Sequence, residues 1–249
     1  MSPGARLAPS ELESLDRALD SSLRPLRGGD APVDVLFSGG VDSSLLVWEL
    51  RNLPSLGLIT VGLEGSADLD AARSAAGRLG RPWEPSVLTP AELDRLVPTI
   101  SDELDGVSPT GRAVLVSLAA GLARSKAARV LCGQGVDELF LGYAHFRGLS
   151  PREAETRARL DLRRALDEDG PRAERVARRF GRALRAPFLE PEFVAAAGSI
   201  PIERRLPGAL TKECFRAFAQ HRGLPAAIAE RPKRAIQFGS GVDRWLRST

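Results

Sequence analysis

Apolar residues in this chain keep two spacings that alternate along its first half. Residues 9–26 carry Leu12, Leu15, Leu19, Leu23 and Leu26 at helical intervals, which predicts an amphipathic helix, with Ser10 and Glu13 placed as a capping box. Arg27-Gly28-Gly29-Asp30 ends it, and Val33, Val35, Leu36 and Phe37 form a short apolar run, read as a buried strand. A helix opens near Asp42-Ser43-Ser44 and stops before Pro54. L-G-L-I-T-V-G-L at 56–63 reads as a second buried strand, 67–79 as a polar-faced helix and 85–88 as a short third strand. Leu93, Leu96, Val97 and Ile100 suggest another helix, followed by an acidic loop at 101–106. Residues 110–127 are helical and mostly apolar, and Arg129-Val130-Leu131-Cys132 supplies a fourth strand. Strands alternating with helices predict an α/β fold with a parallel sheet flanked by helices. In such sheets ligands gather at the carboxyl ends of the strands, which puts the turns after Phe37, Leu63 and Cys132 on one rim. After Gly148 the alternation stops. Residues 152–184 read as helical and arginine-rich with no strand, and the rest as loop and short helix punctuated by prolines.

The stretch at 33–46, V-D-V-L-F-S-G-G-V-D-S-S-L-L, joins the first strand to its helix through a small polar turn. Gly39 and Gly40 let the backbone turn sharply and let an anion approach without a Cβ in the way. The helix N-terminus supplies unpaired N–H groups and a positive dipole end, and Ser38, Ser43 and Ser44 add hydroxyl donors, so phosphate is the natural guest. Asp42 is the odd member, because a carboxylate beside a phosphate makes sense mainly with a cation such as Mg²⁺ between them. Read without its surroundings, Ser-Gly-Gly is equally an ordinary turn with a capped helix.

Composition narrows the class. Hydrophobic content of 43% and charged content of 27% are those of a globular protein, and no apolar run approaches a membrane span. The N-terminus lacks a signal-peptide core, so the cytoplasm is the expected compartment. Cys132 and Cys214 lie far apart, without the spacing of a metal site or a disulfide framework. Net charge is only +3, but lysine is scarce: Lys126, Lys212 and Lys233 are the three in the chain, which gives their positions added weight.

Directly after the fourth strand, Gly133-Gln134-Gly135-Val136-Asp137-Glu138-Leu139-Phe140-Leu141-Gly142-Tyr143 repeats the logic of the first turn: strand, glycine turn, carboxylates at a helix start. Asp137 facing Asp42 across one triphosphate would make a Mg²⁺ site. In isolation the same segment is a capped helix with surface acids.

S-G-G-V-D-S-S resembles the pyrophosphatase-loop signature of ATP-dependent adenylating enzymes. G-Q-G-V-D-E-L-F-L-G-Y is similar to the G-x-G-x-D-E-x-F-x-G-Y segment of the asparagine synthetase C-terminal domain family. Arg185-Ala186-Pro187-Phe188-Leu189-Glu190 looks like that family's R-x-P-F-L-D loop, Lys212 falls at its K-x-x-L-R segment, and Arg231-Pro232-Lys233 looks like its R-x-K. The resemblance implies a Rossmann-like fold of the adenine nucleotide alpha hydrolase type over a single synthetase-like domain. Its parts would be a leading helix (1–30), a nucleotide-binding core (31–148) and a mainly helical remainder (149–249). It implies ATP on Ser38, Gly39, Gly40, Asp42, Ser43, Ser44, Gly133 and Gly135, with Asp42 and Asp137 on Mg²⁺ and the strand at 58–63 against adenine. A carboxylate, aspartate-like, would be adenylated with release of pyrophosphate, and ammonia or an amine would then displace AMP. Lys233 would neutralise the departing pyrophosphate, and Glu103 would handle the proton of the attacking nitrogen.

The departures are specific. Glutamine-hydrolysing members carry a glutaminase domain whose nucleophile is a cysteine after Met1. Here Ser2 follows Met1 and the first strand begins at Val33, so a stand-alone form is expected, fed by free ammonia, an amine or a separate glutaminase subunit. Gln134 stands where the family has Glu, and Ala183 where the loop before R-x-P-F-L-D often has Glu, which leaves the ATP half intact and the carboxylate open. The β-lactam-forming branch uses a Tyr–Glu pair, but the one tyrosine, Tyr143, belongs to the second motif. Two other functions compete. One is adenylation of a tRNA base, suggested by twelve arginines in 147–185 and opposed by seven acids among them. The other is a non-catalytic ATP-binding subunit of a glutaminase complex, opposed by the intact Asp42, Asp137 and Lys233.

Overall fold

The alternating apolar runs become a five-stranded parallel sheet in the computed structural model, which describes residues 7–231 and 239–248. In chain order the elements begin with α1 (Pro9–Arg27), β1 (Val33–Leu36), α2 (Val41–Glu49), β2 (Leu56–Leu63), α3 (Ala67–Arg78) and β3 (Pro85–Leu88). They continue with α4 (Pro90–Leu96), α5 (Ser101–Leu104), α6 (Pro109–Arg124), β4 (Arg129–Leu131), α7 (Val136–Leu139), α8 (Pro151–Arg164), α9 (Gly170–Arg179) and β5 (Ala183–Arg185). The last are α10 (Pro191–Gly198), α11 (Ile202–Arg205), α12 (Glu213–His221), α13 (Ala226–Ala229) and α14 (Val242–Leu246). Among the described residues no helix is long and apolar enough to cross a membrane.

The chain divides into two units. The first in space to carry a sheet comprises the described residues of 30–132, 172–185 and 233–249. Its strand order is β3-β2-β1-β4-β5, every neighbouring pair parallel. From β1 the chain steps outward through β2 and β3, then returns to place β4 on the other side of β1. The order therefore reverses between β1 and β4, and the carboxyl ends of these two strands flank the crevice where ligands bind in open α/β sheets. Val33 and Val35, which share one face of β1, are fully buried. Asp34 is the exception the sequence leaves puzzling. Its Oδ2 accepts from Ser125 Oγ at 2.6 Å and from the N–H groups of Lys126 and Ala127 at 3.3 Å, so it ties the end of α6 to the start of β4. A Cβ on Gly57 of the adjoining strand would lie 2.0 Å from Asp34 Oδ1, so a side chain there would displace the carboxylate.

Two expectations change here. Residues 152–184 were expected to hold no strand, yet Ala183–Arg185 pairs with β4 in register Arg129↔Ala183, and Cys132 N–H donates to the Arg185 carbonyl at 3.0 Å. A three-residue strand has too short a pattern to register against an arginine-rich background. The acidic segment 101–106 is not an open loop: α5 buries Glu103 and Leu104.

The second unit comprises the described residues of 1–29, 133–171 and 186–232 and is helical. Its aromatic centre joins Phe140, Phe188, Phe193, Phe215 and Phe218, with ring centroids 5.1–6.4 Å apart in tilted and edge-on pairs. α1 begins at Pro9, as expected, but its cap lies two residues before the expected one. Ala8 is the N-cap and Glu11 accepts from its N–H at 2.6 Å, while Ser10 and Glu13 form no capping box, because Ser10 already lies inside the helix. Glu11 also holds Arg204 of α11 through contacts of 2.6 and 2.8 Å, and Arg222 reaches Asp16 and Asp20. Burial favours the neutral form of Asp20, but Arg27 and Arg222 outweigh it and hold its carboxyl below the usual range.

Candidate functional site

In the sheet-bearing unit the Ser38 turn leaves β1 and enters α2. Its footing is fixed from below: Thr60 Oγ1 donates to the Phe37 carbonyl at 2.5 Å and accepts from Trp83 Nε1 at 2.8 Å. Gly39 has φ +67°, and a Cβ there would lie 2.5 Å from the Ala71 carbonyl oxygen of α3. That glycine is thus required by backbone conformation and by the close approach of α3, whether or not an anion is present. Gly40 differs: its φ is −76° and its nearest neighbour to a Cβ would be Ser38 Oγ at 3.3 Å. Space for a ligand lies at Gly40.

The hydroxyls draw the turn together. Ser38 N–H donates to Ser43 Oγ at 3.2 Å, the two hydroxyls are 3.3 Å apart, and Gly40 N–H donates to Ser38 Oγ at 3.3 Å. Gly40 is the N-cap of α2 and supplies no side-chain cap to the first-turn N–H groups, which carry the helix's positive end. Asp42 and Ser44 are buried in that first turn. Ser38, Gly39, Gly40, Asp42, Ser43 and Ser44 are therefore brought together in one turn at the carboxyl end of β1. The donor set suits a triphosphate with its magnesium: backbone N–H groups and hydroxyls for the phosphates, and a hard carboxylate oxygen for the cation. Magnesium shared with phosphates and waters needs only one or two protein carboxylates.

Glu103, expected on an open loop, is buried and gripped by α9. Arg175 Nε lies 2.9 and 3.1 Å from its two oxygens and Nη2 lies 2.9 Å from Oε2, while Arg172 donates to its backbone carbonyl at 2.5 Å. The hydrogen bonds and charge of Glu103 raise the pKa of Arg175, keeping the guanidinium charged. Arg179 pairs with Asp102 and holds that carboxyl below the usual range. The sequence named Glu103 but not Arg175, since nothing in an arginine-rich helix marks one arginine from the next.

The Gly133 segment opens the helical unit. Gly135 has φ +104°, and a Cβ on it would press to 2.8 Å from the Leu189 side chain of the Arg185–Glu190 loop. Phe140 and Phe188, from those two motifs, stack into the unit's aromatic centre. Asp137 stands at the start of α7, and Lys212 Nζ lies 2.8 Å from its Oδ1. Glu138 is buried beside it and accepts from Tyr143 Oη at 2.6 Å. Burial and the neighbouring Asp137 charge raise the pKa of Glu138, and burial with Glu138 raises that of Tyr143, so the phenol stays protonated. The Lys212 pairing was missed in the sequence, although the scarcity of lysine had pointed at the position.

Lys233 lies outside the described residues. Gly239 and Ser240 pack on the sheet-bearing unit: Leu63 N–H donates to the Ser240 carbonyl at 2.9 Å, and a Cβ on Gly239 would lie 2.0 Å from Asp68 Oδ1.

A sequence profile of the asparagine synthase family matches residues 14–160 and 150–249. A Methanocaldococcus jannaschii chain assigned as a glutamine-hydrolysing asparagine synthetase is 31% identical, over 94% of this chain and 50% of its own. The glutamine-hydrolysing asparagine synthetase of Cricetulus griseus is 31% identical over 95% of this chain and 46% of its own. Asparagine synthetase B of Escherichia coli K12 is 28% identical with the same two coverages. This chain spans about half the length of the curated relatives it matches. Likeness that runs from α1 through the Ser38 turn and the Gly133 segment to α14 places the chain within one family: it belongs to the asparagine synthases.

Proposed function

We propose that this chain is an ATP-dependent amide-forming ligase that adenylates a small carboxylate, aspartate or a close relative, and transfers ammonia or an amine to it. The observation that carries the reading is the uncapped N-terminus of α2 behind the Ser38-Gly39-Gly40 turn, at the strand end where the sheet order reverses. The family's asparagine synthetases support the amide-forming chemistry.

In the proposed reaction a carboxylate oxygen of the substrate attacks the α-phosphorus of ATP, and the bond from that phosphorus to the β-bridging oxygen breaks, releasing pyrophosphate. The nitrogen nucleophile then attacks the acyl carbon, and the carbon–oxygen bond to AMP breaks. The N–H groups of the first turn of α2 hold phosphate oxygens, with Ser38, Ser43 and Ser44 lining the turn. Gly133 and Gly135 begin the second loop. Asp42 and Asp137 are each offered to magnesium, which when bound neutralises phosphate charge. Glu103, hydrogen-bonded by Arg175 through both its oxygens, takes the proton the nitrogen loses. Lys233 stabilises the departing pyrophosphate. Nitrogen reaches the site as free ammonia, as an amine or from a separate glutaminase subunit, and a cytoplasmic location fits the need for ATP.

The arginine-rich helices do not favour a nucleic-acid reading. Arg157, Arg159, Arg163, Arg164 and Arg178 each pair with an acid on the same helical stretch, so the surface presents alternating charge. The test is a pyrophosphate-release screen with ATP, Mg²⁺, ammonium and a panel of carboxylates headed by aspartate. Release of AMP and pyrophosphate is expected, and Asp42→Asn or Asp137→Asn should abolish it with the fold intact. ADP and phosphate, or no nucleotide turnover with any carboxylate, would overturn the reading.

A further inference from the structure

Lys212 is fully buried, and it is one of only three lysines in an arginine-rich chain. Taking an ammonium wholly out of water is costly unless a carboxylate meets it, and Asp137 Oδ1 does so at 2.8 Å. The backbone is bent to make the meeting. Lys212 has φ +60° at the N-cap of α12, and Leu141 has φ +53°; these are the two non-glycine residues with positive φ among the described residues. Both frame the same pair, since the turn at Leu141 lets Gly142 N–H donate to the Asp137 carbonyl at 2.8 Å. Side-chain space is surrendered as well. A Cβ on Gly142 would lie 2.0 Å from Asp137 Oδ1 and 2.2 Å from Lys212 Cε, and φ is not the reason a glycine stands there. Strain and close approach gathered on one ion pair mark a geometry that the surrounding structure holds deliberately fixed. Oδ1 itself is out of solvent, yet the Asp137 side chain keeps 17% of its exposure, so the accessible part is the remainder of the group.

We propose that Lys212 is the positioning residue of Asp137: its ammonium pins one carboxylate oxygen inside the protein and presents the other in a fixed direction to a divalent cation. The inference rests on the reading of Asp137 as a magnesium ligand. In this role Lys212 acts on the metal through the Asp137 carboxylate.

Manganese, read by electron paramagnetic resonance in the presence of an ATP analogue with a methylene α,β-bridge, is the probe. Lys212→Met and Gly142→Ala should each weaken manganese binding by tenfold or more, Gly142→Ala doing so with both charges still present. In an Asp137→Asn background neither change should weaken it further. A folded Lys212→Met or Gly142→Ala protein that binds manganese as the wild type does would reduce the pair to a structural one and overturn the proposal. Should Lys212→Met not fold, the wild-type chain labelled with ¹³Cε-lysine gives three signals, assigned with Lys126→Arg and Lys233→Arg. Manganese should broaden that of Lys212, and an unbroadened signal counts against the proposal equally. Pyrophosphate release measured on the wild-type protein with ATP in place of the analogue, under the conditions of the carboxylate screen, separates the two ideas: manganese effects without release would sink the ligase reading and leave the role of Lys212 standing.

Discussion

Gly39 and Gly40 are neighbours in the turn after β1, and the structure gives them unequal duties that substitution by alanine would expose. At Gly39 the new residue must hold φ +67°, which costs an L-residue about 1–2 kcal/mol. Its Cβ would also sit 2.5 Å from the Ala71 carbonyl oxygen and 2.8 Å from Ala72 N, backbone atoms that cannot swing aside, so α3 must shift at a further cost of about 1–3 kcal/mol. Gly39→Ala should therefore destabilise the chain by about 2–5 kcal/mol, a fall of roughly 5–15 °C in melting temperature for a protein of this size. Gly40 has an ordinary φ of −76° and only a hydroxyl at 3.3 Å, so Gly40→Ala should stay within about 0.5 kcal/mol of the wild type. The measurements are urea midpoints and thermal melts of the three proteins, with binding of the ATP analogue alongside. Gly40→Ala should keep its stability and lose nucleotide affinity, because its Cβ intrudes where phosphate would approach. A Gly39→Ala protein as stable as the wild type would refute the reasoning, as would equal destabilisation by both.

Glu138 should make the helical unit less stable as pH rises. Its pKa is raised in the folded state, so the folded chain holds the proton more tightly than the unfolded one, and stability is lost from about pH 4.3 upward through the folded value. Glu138→Gln should flatten that slope in urea unfolding measured across pH; a slope unchanged by the substitution would count against it. Cys214 is buried and its thiol is pushed up to about 11, so an aromatic disulfide reagent at pH 8 should titrate Cys132 in the native protein and reach Cys214 only in denaturant. Two thiols reacting at one fast rate would contradict this. Arg175→Met should lower the urea midpoint by stranding the buried Glu103 carboxylate, whereas Arg163→Met, whose partner Asp167 is exposed, should leave it unchanged.

Local patterns determined a great deal here. β2 forms over the residues its apolar run predicts, because an inner strand of a parallel sheet is largely apolar and its ends are cut by turn residues, and β3, at the sheet edge, forms over the expected 85–88. The Ser38 turn was legible for a related reason: glycine, hydroxyl and helix-start chemistry are all local, and six residues suffice to write them. What lay beyond reach depended on partners distant in the chain. β5 exists because β4 lends it hydrogen-bond partners some fifty residues away, not because Ala183-Leu184-Arg185 favours extension. Glu103 is buried because α9 brings Arg175 to it, and the duty of Gly39 is set by the carbonyl of Ala71. The same holds for Lys212. Its sequence showed a rare lysine, but only the tertiary structure decided that it meets Asp137, since a buried ammonium is stable only where folding supplies the opposite charge.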